Sequence, residues 1–541
     1  MPDLSHFKIL VGLAVVIFTT VSVSAQKSPL PALVEKNGHY SLLVDGKPFF
    51  ILGGQVHNSS AWPKMMPAVW RSAAILKLNT LEIPVYWEQV EPHPGKFDFS
   101  FVNTLLQQSR QHGVKLVLLW FGTWKNGSNH YMPEWMKRDA VNYPNITGKN
   151  GQPIDSPSPH ANATLQADIK AFEALMSYLA RTDQQRQVIM VQVENESGSW
   201  GSIRDYSAEA QKLFDGAVPA KLFEPTLLKA LNVPIVTGGT WREVFGDRAD
   251  EYFQAWYTAN FIGQVAAAGK SVYPLPLYTN AALRDPLTNP TANNYESGGP
   301  TYNVIPIWKA AAPALDLVAP DIYLSGSERI LRVLDLYNLP GNALFVPEAA
   351  LNVEKAKYLF EVIARGGVGF SPFGIDDNGV GETTDQTAKR LAAFAEIYAT
   401  VKPMMAEILR WANAGKITSI VEHDDHADQT IELGSWQLLV KFGGDGRANA
   451  APMYTPEATG KLLVLKLSDN KFMLIGSRCH VTFKPNGSNA GKAWQYLKVE
   501  AGAYSHGDVK ATRILNGDET DWGGPGFGDK PTILQVSLVV R

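Results

Sequence analysis

Eight short runs of β-branched and apolar residues recur in the first three-quarters of the sequence: 50–54, 80–87, 115–122, 188–195, 275–280, 315–323, 343–348 and 367–373. Runs this brief and this apolar read as strands buried on both faces of a parallel sheet. Helical patterns lie between them. Leu165, Ile169, Phe172, Met176 and Leu179 recur at helical spacing between the third and fourth runs, and 355–365 reads the same way between the seventh and eighth. Strands alternating with helices imply a parallel sheet, and eight repeats imply closure into a (β/α)8 TIM barrel, an α/β fold. One further apolar run, 233–236, is left out of the barrel. Gly238-Gly239 cuts it short, and a helical pattern over 251–268 leads into the next strand.

The flanks differ from this pattern. A hairpin is predicted over 39–50, turned by Asp45-Gly46. Beyond residue 400 short β-rich runs alternate with turns such as Gly443-Gly444 and Asn486-Gly487, the texture of an all-β, sandwich-like module. The expected organisation is therefore a signal peptide at 1–25, a catalytic barrel with its hairpin at 26–400, and a β-rich module at 401–541. The first segment has His6 and Lys8 before an apolar stretch, then Val23-Ser24-Ala25 at a cleavage point, so export to the periplasm or medium is expected, with no membrane span in the mature chain. A single cysteine, Cys479, forbids an intramolecular disulfide. With 49 basic against 52 acidic residues there is no basic surplus of the kind that nucleic acid attracts. The 14 Trp and 19 Tyr suit a carbohydrate ligand, whose pyranose faces lie flat on aromatic rings.

Two of the runs end in a carboxylate. The fourth closes in Glu194-Asn195-Glu196-Ser197-Gly198, and the seventh runs through Pro347 into Glu348. The carboxyl ends of barrel strands are where such enzymes carry their chemistry. Glu196 and Glu348 facing one pocket could cleave a glycosidic bond, one protonating the leaving oxygen while the other attacks the anomeric carbon. Asn195 offers an amide to a sugar 2-hydroxyl, and Pro347 fixes the backbone before Glu348. Each glutamate could instead be only a solvated loop carboxylate, and Glu194, two residues before Glu196, competes with it as the acid. Tyr86 and Tyr323 end the second and sixth strands, where a phenol could orient Glu348 or simply pack. Trp124 could be a sugar platform or a cap on the barrel. Glu88 and Glu91 read as structural loop residues.

The stretch from Gln192 to Gly198 resembles the acid/base motif of family-35 glycoside hydrolases, the β-galactosidases of a large clan with catalytic glutamates after barrel strands four and seven. Gly53-Gly54-Gln55-Val56-His57 and the run from Tyr86 to Phe99 resemble other parts of that family. The resemblance covers residues 50–373. It implies a retaining β-galactosidase with Glu196 as general acid/base and Glu348 as nucleophile, acting on an oligosaccharide or polysaccharide without cofactor or metal. Residues 120–126 depart from the family's Cys-Ala-Glu-Trp pattern after the third strand, having no glutamate. That marks a divergent bacterial branch, for which galactose side chains of plant polysaccharides such as xyloglucan are candidate substrates. Another β-glycosidase or endo-glycanase of the clan, or a barrel that binds carbohydrate without cleaving it, are the alternatives. His423-Asp424-Asp425-His426 reads as a solvated turn rather than a metal site, since no second ligand cluster accompanies it.

Overall fold

The computed structural model describes residues 28–442 and 457–541. The expected signal at 1–25 and the Gly443-Gly444 turn lie outside the described residues. A three-stranded antiparallel sheet opens the fold: β1 (Ala32–Lys36), β2 (His39–Val44) and β3 (Lys47–Phe49). Asp45 and Gly46 both take positive φ, 52° and 74°, as a tight hairpin between β2 and β3 requires.

The barrel follows. Its strands are β4 (Ile51–Gln55), β5 (Thr80–Tyr86), β6 (Lys115–Lys125), β9 (Val188–Asn195), β10 (Leu277–Ala281), β11 (Leu317–Ile322), β12 (Phe345–Ala349) and β13 (Gly369–Pro372). The short antiparallel pair β7 (Asn145–Thr147) and β8 (Pro153–Pro157) lies in the connection after β6. Each barrel strand pairs in parallel with its neighbours, and β13 returns to β4 to close the ring. All eight are the runs picked out by the sequence pattern. The excluded segment 233–236 is irregular.

Closure packs the first and last strands of the barrel tightly side by side. A Cβ on Gly53 of β4 would meet Ser371 Oγ of β13 at 2.0 Å, so only glycine fits there. Tyr398, on the helix Thr384–Val401 outside the ring, donates to the carbonyls of Gly53 and Phe370 at 2.9 and 3.0 Å and ties the closing strands together. The long helices Asn162–Thr182 and Ala249–Val272 pack against each other outside the barrel.

The chain then leaves the barrel through the helix Met405–Asn413 and enters a module that has, among the described residues, two antiparallel sheets of six and four strands between Ile417 and Val540. Leu463, Leu465, Met473 and Ile475 of the larger sheet join the barrel's own apolar core. The cleaner apolar cluster around Trp436, Phe472 and Phe483 belongs to the module alone. Polar ties reinforce the junction: the buried Lys357 ammonium donates to the carbonyls of Glu422 and Ala458 at 2.7 and 2.8 Å. Among the described residues no helix is long and apolar enough to cross a membrane.

Candidate active site

β9 ends in an unusual backbone. Glu194 and Glu196 both adopt left-handed φ, 62° and 41°, a conformation that costs a non-glycine residue of order 1 kcal/mol or more. The surroundings hold it. The Glu196 amide donates to Asn280 Oδ1 at 3.1 Å, and the Glu196 carbonyl accepts from Gly127 N at 2.8 Å. The twist sends the two glutamates to different places. Glu194 is fully buried and accepts from the Trp124 amide at 2.6 Å, close to Asp168, which takes bonds from Trp120 and Thr123. Glu194 is thus a support of the strand ends. Glu196 turns toward Glu348.

Glu348 sits near the end of β12, opposite. Gln55 Nε2, from the end of β4, donates to its Oε2 at 2.8 Å, and the Tyr323 phenol donates to its Oε1 at 2.5 Å. A third acid stands with them. Carboxyl oxygens of Glu196, Asp321 and Glu348 lie within 4.8 Å of one another, and all three residues are buried. Asp321, from β11, accepts from Asn280 Nδ2 at 2.6 Å. Lys125 Nζ, from the end of β6, is 4.0 Å from Glu196 Oε2.

Crowding acids in a buried site raises the cost of ionising them. Burial first, then the Glu348 charge, pushes the Glu196 carboxyl up to about 7, against the opposing pull of Lys125. Asp321 is driven well above the carboxylate range by burial and by the charges of Glu348 and Glu196. Burial, and then Glu348, raises the Tyr323 phenol, which therefore stays a donor. Glu296, on the connection after β10, is raised by burial and by Glu196; Trp200 Nε1 holds its Oε1 at 2.6 Å.

Several buried polar atoms here have no partner among the described residues: both polar side-chain atoms of Asn195, Gln55 Oε1, Ser197 Oγ and Glu296 Oε2. Such atoms are costly unless something else bonds them, so a cluster beside paired carboxylates marks a place for a polyhydroxylated ligand. The three carboxyls are also the one group among the described residues with enough close oxygens for a hard cation. Three of those six oxygens already accept from Gln55, Tyr323 and Asn280.

Of the residues singled out from sequence, the structure brings together Glu196, Glu348 and Tyr323, with Asn195 buried and unpartnered just before Glu196. It does not bring Tyr86 or Trp124 to them. The Tyr86 phenol donates to the Asn58 carbonyl and accepts from the Ala61 amide, bracing the loop after β4. Trp124 is buried with its indole edge-on to Phe261 of the outer helix, 4.8 Å between centroids, because β6 runs on to Lys125 and alternation turns Lys125, not Trp124, inward. Asp424 accepts from the Ser327 amide, and His426 bonds Glu422, so the His-Asp-Asp-His turn is tied into the junction between barrel and module. Sequence reading missed Gln55, Lys125, Asn280 and Asp321. Each is a polar residue at the last or next-to-last position of an apolar strand, and that alone was the available signal.

Residues 41–135, which include β4, β5 and β6, match the family model of the glycosyl hydrolases family 35. Residues 394–524 match a domain of unknown function, DUF5597, so the module has a recognised sequence without a known role. A β-galactosidase of Xanthomonas manihotis is 30% identical over 178 residues, 31% of this chain and 27% of that one. β-Galactosidase 11 of Arabidopsis thaliana is 28% identical over 104 residues, 18% of this chain and 12% of its own. The chain thus matches about a quarter or less of the length of these relatives. Among solved structures, a β-galactosidase from Bacillus circulans sp. alkalophilus aligns with TM-score 0.47 at 14% identity, over 65% of this chain and 56% of that one.

Proposed function

We propose that this protein is a retaining exo-β-galactosidase, exported after removal of residues 1–25, that takes terminal galactose from plant-derived oligosaccharides such as xyloglucan fragments. The observation that carries the reading is the spacing and unlike surroundings of Glu196 and Glu348. Carboxyls about 5–5.5 Å apart characterise double displacement, whereas inverting enzymes leave roughly 6.5–9.5 Å for a water; oxygens of this pair come within 4.8 Å. The sugar rests on the β-galactosidases of Xanthomonas manihotis and Arabidopsis thaliana, to which parts of this chain are similar.

In the first step protonated Glu196 gives its proton to the glycosidic oxygen, the bond from that oxygen to the anomeric carbon breaks, and Glu348 attacks that carbon to form an ester. In the second, the Glu196 carboxylate takes a proton from water as the water oxygen attacks the same carbon, releasing galactose and the Glu348 carboxylate. Donors from Gln55 and Tyr323 fix the attacking group, and the unpartnered Asn195 amide is available to the sugar's 2-hydroxyl.

A panel of nitrophenyl glycosides tests the sugar, with the β-galactoside expected to turn over fastest; preference for a mannoside or glucoside would replace the substrate but not the mechanism. Glu348→Gly is expected to abolish turnover and to be partly rescued by azide, yielding a glycosyl azide of inverted configuration. Turnover in that variant without azide would remove Glu348 from the nucleophile's role.

A further inference from the structure

We propose that Asp321 is a positioning residue that stays protonated through the reaction and donates its hydroxyl hydrogen to Glu196. The inference rests on the retaining-glycosidase reading above for its consequence, though not for its geometry.

Asp321 is the next-to-last residue of β11 and Tyr323 the first beyond it, and both reach Glu348: the Tyr323 phenol donates to it, and an Asp321 oxygen lies within 4.8 Å of it. Tyr323 serves Glu348 and Asp321 serves Glu196: one strand end holds a donor against each carboxyl. For Asp321 to be a donor it must carry a proton, and its surroundings demand one. Glu196 and Glu348 both lie within 4.8 Å of it, with Tyr278, Tyr323 and Tyr337 also facing it and Lys125 the one cation acting on it. Three ionised carboxyls against one ammonium in a buried site is an arrangement that folding would have to sustain at heavy cost.

Asn280 fixes the geometry. Its Oδ1 accepts from the Glu196 amide at 3.1 Å, so the group it turns to Asp321 Oδ2, at 2.6 Å, must be the NH2 end. That leaves Asp321 Oδ1 buried and without any protein donor. A Glu196 carboxyl oxygen lies within 4.8 Å of an Asp321 carboxyl oxygen, and two carboxyls can join in a hydrogen bond only with a proton between them. When Glu196 gives its own proton to the leaving oxygen, the carboxylate it becomes is met by the Asp321 hydroxyl and by Lys125. When Glu196 takes a proton back from water, the Asp321 proton has not moved. Asp321 therefore makes Glu196 a readier acid without taking part in bond making.

The test follows the Glu196 carboxyl directly. Protein labelled with 13C at the glutamate side-chain carboxyl is titrated by NMR, the Glu196 signal being assigned by its loss in Glu196→Gln. Asp321→Asn keeps a neutral donor and the Asn280 contact, and is expected to leave the Glu196 midpoint within a few tenths of a pH unit of wild type. Asp321→Ala removes the donor and raises the midpoint. A midpoint that falls in Asp321→Asn shows that a negative neighbour was removed, and overturns the proposal. Kinetics give the second readout. Asp321→Ala loses about ten-fold or more in kcat/KM on galactosides with poor leaving groups, and much less on a dinitrophenyl galactoside, whereas Asp321→Asn stays near wild type on both. Equal losses on both substrates in the two variants would make the role merely structural. If wild type cleaves no β-galactoside at all, the functional reading fails, while the NMR titration still decides where the proton sits.

Discussion

Glu196 and Glu348 are the same residue type at the ends of two strands of one barrel, yet their surroundings are opposites. Glu348 has two donors: Gln55 and Tyr323 each give a hydrogen to one of its oxygens. Glu196 has acids for neighbours, Asp321 and Glu296, with the Lys125 ammonium at 4.0 Å drawing its carboxyl the other way. One wall of the site surrounds its carboxyl with donors and the other with acids, so that on the proposed reading acid and nucleophile differ in what packs around each carboxyl.

The comparison breaks most visibly at Glu196 itself. Glu196→Ala is expected to lower kcat/KM by about 100- to 10,000-fold on galactosides with poor leaving groups, and far less on a dinitrophenyl galactoside, whose leaving group departs unprotonated. A uniform loss across leaving groups would deny Glu196 the acid's role. On the other wall, Tyr323→Phe removes one donor to Glu348 and is expected to cost about 10- to 100-fold in kcat/KM, with little change in dependence on leaving group. A variant equal to wild type would show that Gln55 suffices to hold the nucleophile.

The smallest effect is on stability. Glu196, Glu82, Glu194, Asp321 and Glu296 all have carboxyls raised above their unfolded values, with burial the largest cause in each. The native chain then binds more protons than the unfolded one. Their contribution is fully present below the unfolded value and is lost as pH rises through the folded one, for Glu196 between 4.5 and about 7. Melting temperature is therefore expected to rise as pH falls from 8 to about 5.5, by roughly a few degrees. Asp376 opposes this only at lower pH: despite burial, bonds from His57 and Ser60 hold it at about 2, so its support fades below the ordinary value of 3.8. A flat melting curve across this window, measured by calorimetry, would mean that these acids ionise in the fold, and Glu196→Gln should reduce the slope.

Much of this architecture was legible from the order of residues. Eight apolar runs, each too short for a helix, left closure as the simplest way to cover every strand, and the β-rich texture after residue 400 announced a second unit. The glutamates of the site were legible for the same reason: a carboxylate after an apolar run has to emerge at a strand's carboxyl end. Tyr86 and Trp124 show where that logic stops. Both stand at strand ends, but the Tyr86 phenol is spent on the loop at Asn58 and Ala61, and Trp124 faces outward because β6 is longer than its apolar run. A slip of one residue at a strand's end exchanges its two faces.

What the sequence determined is periodic: the alternation of strand and helix, the ring it closes into, and the strand ends from which Glu196 and Glu348 project. Those follow from local hydrophobic pattern, which each segment carries by itself. What only the tertiary structure decided is which side chains face each other across the ring. That Asp321 stands against Glu196, that Tyr323 and Gln55 reach Glu348, and that Lys125 sits where Trp124 was expected depend on strand register and on the left-handed turn at Glu194 and Glu196. Protonation depends on distance and burial, and these exist only once the barrel has closed.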